Sequence, residues 1–279
     1  MAERGGFEPP IPCGIRAFQA RAFDHSATSP VTKGRWTKWS ARASVNGNSF
    51  APSPTRPRPF SGRGFAKTHR AAFPFSMLTV DLVSDFACPW CYIGAARLAQ
   101  ALGPRRVEVA VNYHPFLLNP DLPPEGADLR AYLRARYGGD PEEMFANVEA
   151  AARETGLPLD FSRVTRFPNT VAAHTLARHA PQQASFATAL FEANFVHGRD
   201  LGDATVLTEL ALAHGFAADA VASLLADDSE HARTRQIAAA LSARGITGVP
   251  FFVFGQRLAL SGAQPVEVFR QVLAEAGLA

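Results

Sequence analysis

Two cysteines, Cys88 and Cys91, bracket Pro89 and Trp90 immediately before an Ala- and Leu-rich stretch, Ile93 to Leu102. That stretch has helical character and closes at Gly103-Pro104. At the start of a helix, unpaired backbone N–H groups and the positive dipole end favour an anion. A cysteine placed there ionises more readily than a free thiol, whose pKa is about 8.5. The thiolate is the attacking species in thiol–disulfide exchange, and a second thiol one turn along can attack the mixed disulfide and release the partner. This spacing predicts Cys88 as the nucleophile and Cys91 as the resolving thiol. The competing readings are two inert buried cysteines or half of a metal site. Structural zinc wants a second ligand pair at short spacing. His174 and His179 are five apart and nothing ties them to the cysteines, so no metal is expected.

The elements that must position this pair are legible around it. Leu78 to Val83 is β-prone and partly alternating, and Val107 to Tyr113 alternates more fully. With the intervening helix they form a βαβ unit, which requires parallel pairing and a right-handed crossover. From about Pro123 to Gly245 the pattern is helical, with helices expected at Thr170–His179, Gln183–His197, Ala204–His214, Asp219–Ala226 and Ser229–Ala243. Asp140-Pro141-Glu142-Glu143 is a helix start, with Asp at N-cap, Pro at N1 and Glu at N3. Phe251–Phe254 and Arg257–Ser261 form a strand pair around Gly255-Gln256, and a last helix has Pro265 at N1. The order is that of an α/β thioredoxin fold with a large all-helical insertion. The expected division is 77–122 with 236–279 as the thioredoxin-like part and 123–235 as the insertion.

Thr247-Gly248-Val249-Pro250 precedes the strand pair. In thioredoxin-like folds a cis proline here packs on the dithiol and exposes the preceding backbone to an extended substrate, so Val249 and Pro250 are expected to bind substrate beside Pro89 and Trp90. Cis bonds are nearly confined to X-Pro. Asp85, three residues before Cys88, is either a proton relay or a turn cap. His114 follows the second strand and could sit near the site, with a satisfied structural histidine as the default reading. His174 lies in the insertion and is assigned no role.

Ser84-Asp85-Phe86-Ala87-Cys88-Pro89-Trp90-Cys91-Tyr92-Ile93-Gly94, Gly248-Val249-Pro250-Phe251-Phe252-Val253 and Ser261-Gly262-Ala263-Gln264-Pro265 resemble the FrnE-like branch of the DsbA family. Pro115 to Pro120, Asn169-Thr170 with Ala173-His174, and Gly198-Arg199-Asp200 share the resemblance. It covers residues 77–279 and implies a DsbA-like architecture with protein disulfide oxidoreductase or isomerase activity on protein or small-molecule thiols and disulfides. It implies no cofactor beyond the dithiol, with glutathione as a candidate co-substrate. Kappa-class glutathione transferases and 2-hydroxychromene-2-carboxylate isomerases share the architecture but have Ser at the first cysteine position. A glutathione-dependent isomerase or transferase is therefore the first alternative. A chaperone-like module holding extended peptides at Val249-Pro250 is the second.

Charge is unevenly placed. Residues 1–76 hold 12 Lys/Arg against 3 Asp/Glu, while 77–279 hold 16 Arg against 22 Asp/Glu. The pI near 9.0 thus belongs to the leader, and the acidic remainder argues against nucleic acid as a partner. The leader has proline at nearly every second position over 51–59 and reads as disordered. Gly5 to Pro10 resembles translated non-coding sequence, so the working protein is expected to begin at Met77. No apolar run of membrane-spanning length and no secretory signal is visible, which predicts no membrane partner and a cytoplasmic location.

Overall fold

The computed structural model describes residues 77–278, and the expected leader over 1–76 lies outside the described residues. Strand β1 (Leu78–Ser84) runs parallel to β2 (Val109–Pro115) and antiparallel to β5 (Phe251–Phe254), which pairs with β6 (Leu258–Ser261). The order β2-β1-β5-β6 makes the strand that leads into Cys88 an interior one, hydrogen-bonded on both sides. Helix α1 (Pro89–Leu102) is the crossover that parallel β1 and β2 require. It ends at Gly103, whose φ of 51° suits a residue without Cβ.

The second strand starts two residues later than its alternation suggests. Gly103–Glu108 forms a 3-10 turn, and Val107 is 86% exposed. After Gly103-Pro104 the chain needs that turn before Val109 can come into register with Leu78. Strand β2 is a sheet edge, and its outward groups at Tyr113 are capped by one side chain. Gln183 Oε1 accepts from the Tyr113 N–H at 2.9 Å and Gln183 Nε2 donates to its carbonyl at 3.1 Å. Such capping removes a pairing template that an open edge would present.

Helix α9 (Val266–Ala276) packs beside α1, and Phe269 meets Phe252 edge-on at 4.9 Å. Pro265 is the N-cap of α9, with φ −56° and ψ 151°, one position before the expected N1. The inserted block comprises α2 (Leu129–Tyr137), α3 (Pro141–Glu154), α4 (Val171–His179), α5 (Gln183–Phe195), α6 (Ala204–Ala213), α7 (Ala218–Ala226) and α8 (Asp228–Ala243). Asp140 caps α3 by accepting from the Glu142 N–H at 3.2 Å.

The block is not wholly helical. A two-residue ladder, β3 (Ala127–Asp128) with β4 (Arg166–Phe167), ties its early segments together. The boundary expected between 235 and 236 falls inside α8, whose continuous hydrogen bonding carries it from α4 to β2 as one rod. Buried Arg97 of α1 links the parts, donating to Thr155 Oγ1 at 3.0 Å and to the Ala263 carbonyl at 2.7 Å. No helix among the described residues is long and apolar enough to cross a membrane.

Candidate active site

The turn from β1 into α1 fixes the dithiol. Cys88 is the N-cap of α1, with extended φ −100° and ψ 111°, and Pro89 occupies the first helical position, where its missing N–H costs nothing. The Cys88 N–H donates to the Asp85 carbonyl at 3.0 Å, and the Cys91 N–H donates to the Cys88 carbonyl at 3.0 Å. This one-turn spacing sets the two sulfurs on the same end of the helix. Both are free thiols. Their surroundings differ. Cys91 is fully buried, and burial pushes its thiol well above the usual range, with Cys88 beside it adding to the shift. Cys88 is also buried, at 2% exposure, but its Sγ lies 3.9 Å from the Val249 carbonyl, to which the thiol can donate.

The Val249–Pro250 peptide is cis, and Gly94 lets this loop approach α1. A Cβ at Gly94 would lie 2.9 Å from Pro250 Cγ and 3.2 Å from Phe252 Cζ. Thus Cys88, with Pro89 and Cys91 on the same turn, is brought to the Val249-Pro250 loop from 161 positions away. Trp90 lies in the same turn. It is 5% exposed, about as buried as Cys88 and Val249 beside it, and its Nε1 has no hydrogen-bond partner among the described residues.

Asp85 is the hub beneath the dithiol. Its Oδ1 accepts from the Ala87 N–H at 3.1 Å and from Thr170 Oγ1 at 2.8 Å, and its Oδ2 accepts from the Leu118 N–H at 2.7 Å. A carboxylate that is 2% exposed is tolerable only with such donors. The turn-cap role is therefore directly visible, and the cap reaches beyond its own turn to the chain after β2 and to the start of α4. Asn194 of α5 adds a further tie, donating to the Phe86 carbonyl at 3.1 Å.

His174, to which the sequence assigned no role, also belongs to this place. It is 3% exposed, its ring lies 4.4 Å from that of Phe86, and its Nε2 is 3.6 Å from Asp85 Oδ1. The signal that could have found it is the spacing of Thr170 and His174, which places both on one helix face. His114, by contrast, bonds Asp81 at 3.0 Å on a half-exposed sheet face.

Beside the turn, Ala87 and Pro89 form one wall of a narrow apolar cleft lined also by Phe145, Phe161, Phe167 and Asn194. Helix α2 brings Tyr137 near Cys88. Burial pushes the Tyr137 phenol up to about 12, with Tyr132 and then Cys88 adding to the effect.

Comparison with known proteins places this geometry. The chain is 34% identical to a probable DsbA oxidoreductase from Streptomyces coelicolor, covering 71% of this chain and 89% of that one with a TM-score of 0.63. It is 26% identical to the protein YwbO of Bacillus subtilis over 203 residues, which are 70% of this chain and 96% of that protein. A 2-hydroxychromene-2-carboxylate isomerase shares the fold at 17% identity, with a TM-score of 0.55 and coverage of 72% and 99%. The family model described as the DSBA-like thioredoxin domain matches residues 79–274. With a dithiol at the N-terminus of α1, a facing proline loop and a match over most of its length, this chain belongs to the DSBA-like thioredoxin domain family.

Proposed function

We propose that the protein is a thiol–disulfide oxidoreductase or isomerase that works through a mixed disulfide at Cys88 resolved by Cys91. The observation that carries this reading is the unequal setting of the two thiols. Both thiols are buried, but Cys88 caps the helix with its Sγ against the Val249 carbonyl, whereas Cys91 lies inside the first turn, where burial raises its thiol.

In the reducing direction the Cys88 thiolate attacks a partner disulfide R–S–S–R′. A Cys88–S–S–R bond forms and R′–S⁻ leaves, taking a proton from solvent. Cys91 then loses its proton and attacks the Cys88 sulfur. The Cys88–Cys91 disulfide forms and R–S⁻ departs to be protonated. The protein dithiol is oxidised and the partner disulfide is reduced to two thiols; the reverse sequence oxidises a partner. Partners are thiols and disulfides of proteins or small molecules, glutathione among them.

The test is a non-reducing gel after incubation with cell extract. Cys91→Ser should accumulate covalent partner complexes that a thiol reductant releases, and Cys88→Ser almost none. The fold shared with the chromene-carboxylate isomerase supports the second reading, a glutathione-dependent isomerase. That reading prevails if Cys91→Ser traps nothing above the Cys88→Ser background while the wild type turns over a glutathione-requiring substrate.

A further inference from the structure

Among the described residues, four buried side-chain polar atoms lack a hydrogen-bond partner: Ser84 Oγ, Trp90 Nε1, His174 Nε2 and His231 Nε2. Three of the four adjoin the turn that holds Cys88, although buried polar groups are normally paired. Of those three, only His174 has a side chain that can take up a proton from water to become a cation. It stands against Asp85, whose three donors are all neutral: the Ala87 and Leu118 amides and the Thr170 hydroxyl.

We propose that His174 is a positioning residue of the dithiol centre, coupling a second protonation step to the reactivity of Cys88 through Asp85. This deepens, and rests on, the thiol–disulfide reading. The Asp85 carboxylate accepts from the Ala87 N–H at 3.1 Å, and the Asp85 carbonyl accepts from the Cys88 N–H at 3.0 Å. Its negative charge therefore sits in the turn that carries the dithiol, where it opposes thiolate formation; after burial and the Cys88 thiol, it is the smallest of the causes that raise Cys91. A proton taken from solvent onto His174 puts a positive charge 3.6 Å from Asp85 Oδ1 and offsets that opposition. Loss of the proton restores it. His174 touches no sulfur and acts only through the carboxylate and the Phe86 ring on which it packs.

The other titratable groups on elements around the pair are engaged elsewhere. On α8, Glu230 is taken by Arg178 and His179, and His231 lies near Asp227. Arg233, also on α8, acts on Arg178. On β2, His114 is taken by Asp81, and Tyr113 is pushed up to about 12 by burial. On α5, Glu192 acts on Tyr92. On α6 and α7, Glu209 and Asp219 are exposed. On α2, Tyr132 feels Asp85, and burial is the larger cause of its upward shift.

The test is brief iodoacetamide labelling of the reduced full chain across pH 5 to 9, comparing wild type with His174→Gln. Alkylation follows the Cys88 thiolate whatever partner the protein acts on, so this outcome is independent of the trapping gel. At about pH 5–6 the wild type should label roughly three- to tenfold faster than the variant, and the two curves should meet by about pH 8.5. Parallel curves would overturn the coupling, because lost packing alone changes labelling alike at every pH. Should His174→Gln fail to fold, NMR titration of the His174 ring in the unsubstituted protein decides. Linkage is reciprocal, so its midpoint must differ between dithiol and disulfide forms, and identical midpoints sink the proposal.

Discussion

Two Asp–His pairs lie along the same stretch of chain and differ in almost every physical respect. Asp81 sits within β1 and meets His114 at 3.0 Å on a face where the side chains are 25% and 39% exposed. Asp85 lies just past the end of β1 and meets His174 at 3.6 Å with both side chains 3% exposed. In the first pair, partial burial pulls the Asp81 carboxyl up, but hydrogen bonds from His114 and Asn112 outweigh it and leave the group below its usual value. In the second, backbone amides and Thr170 satisfy the carboxylate, and the imidazole stands close without a hydrogen bond of its own. The same two residue types therefore make a sheet-surface contact in one place and a buried charged centre beneath a dithiol in the other. Depth and the number of fixed donors decide which.

The comparison is sharpest at Asp85. Asp85→Ala strips the partner from two buried amides and a hydroxyl and should cost about 3 kcal/mol, at the level of breaking a buried charged network. Urea unfolding measures it, and a loss below about 1 kcal/mol would mean that the carboxylate is not the hub.

The second expected effect comes from Cys91. Its folded-state pKa is raised, so the stability of the reduced protein is whole below the unfolded value near 9. It then declines as pH rises toward the folded value, by at most about 1.4 kcal/mol per pH unit. Denaturation of reduced wild type and Cys91→Ala at pH 8 and about pH 10 should show a steeper decline in the wild type. Matching declines would show that the buried thiol carries no such linkage.

Thr170→Val tests the hub from its other side. It removes one donor to Asp85 while conserving shape, and should cost about 1 kcal/mol with iodoacetamide labelling of Cys88 slowed most at low pH. An unchanged unfolding midpoint would detach α4 from the site.

The smallest effect belongs to the exposed pair. Asp81→Asn should lower stability by less than about 1 kcal/mol at neutral pH. Because the Asp81 pKa is depressed in the folded state, this contribution is present above the unfolded value of about 3.9 and fades as pH falls through the folded one. A loss as large as that of Asp85→Ala would erase the contrast between the two pairs.

Much of this was legible in the residues. Pro89 after Cys88 starts a helix because proline suits N1, Gly103-Pro104 ends it, and Asp140-Pro141 opens another, since each of these depends on neighbours a few positions away. The same locality explains the strands that alternation marks and the placement of both thiols at one helix end. What the sequence could not carry were contacts between distant segments. His174 and Asp85 are 89 positions apart, and the apolar face on which His174 rides looks like that of any core helix. Gln183 carries no sign that it will cap the edge of β2. The boundary drawn at 235/236 lies within α8, whose contacts reach both parts. By itself the sequence determined the elements and the dithiol, because propensity, capping and periodicity are local. Only the tertiary structure decided which buried polar groups stand beneath the sulfurs, because a polar side chain's partner is set by where the backbone brings it and not by its place in the chain.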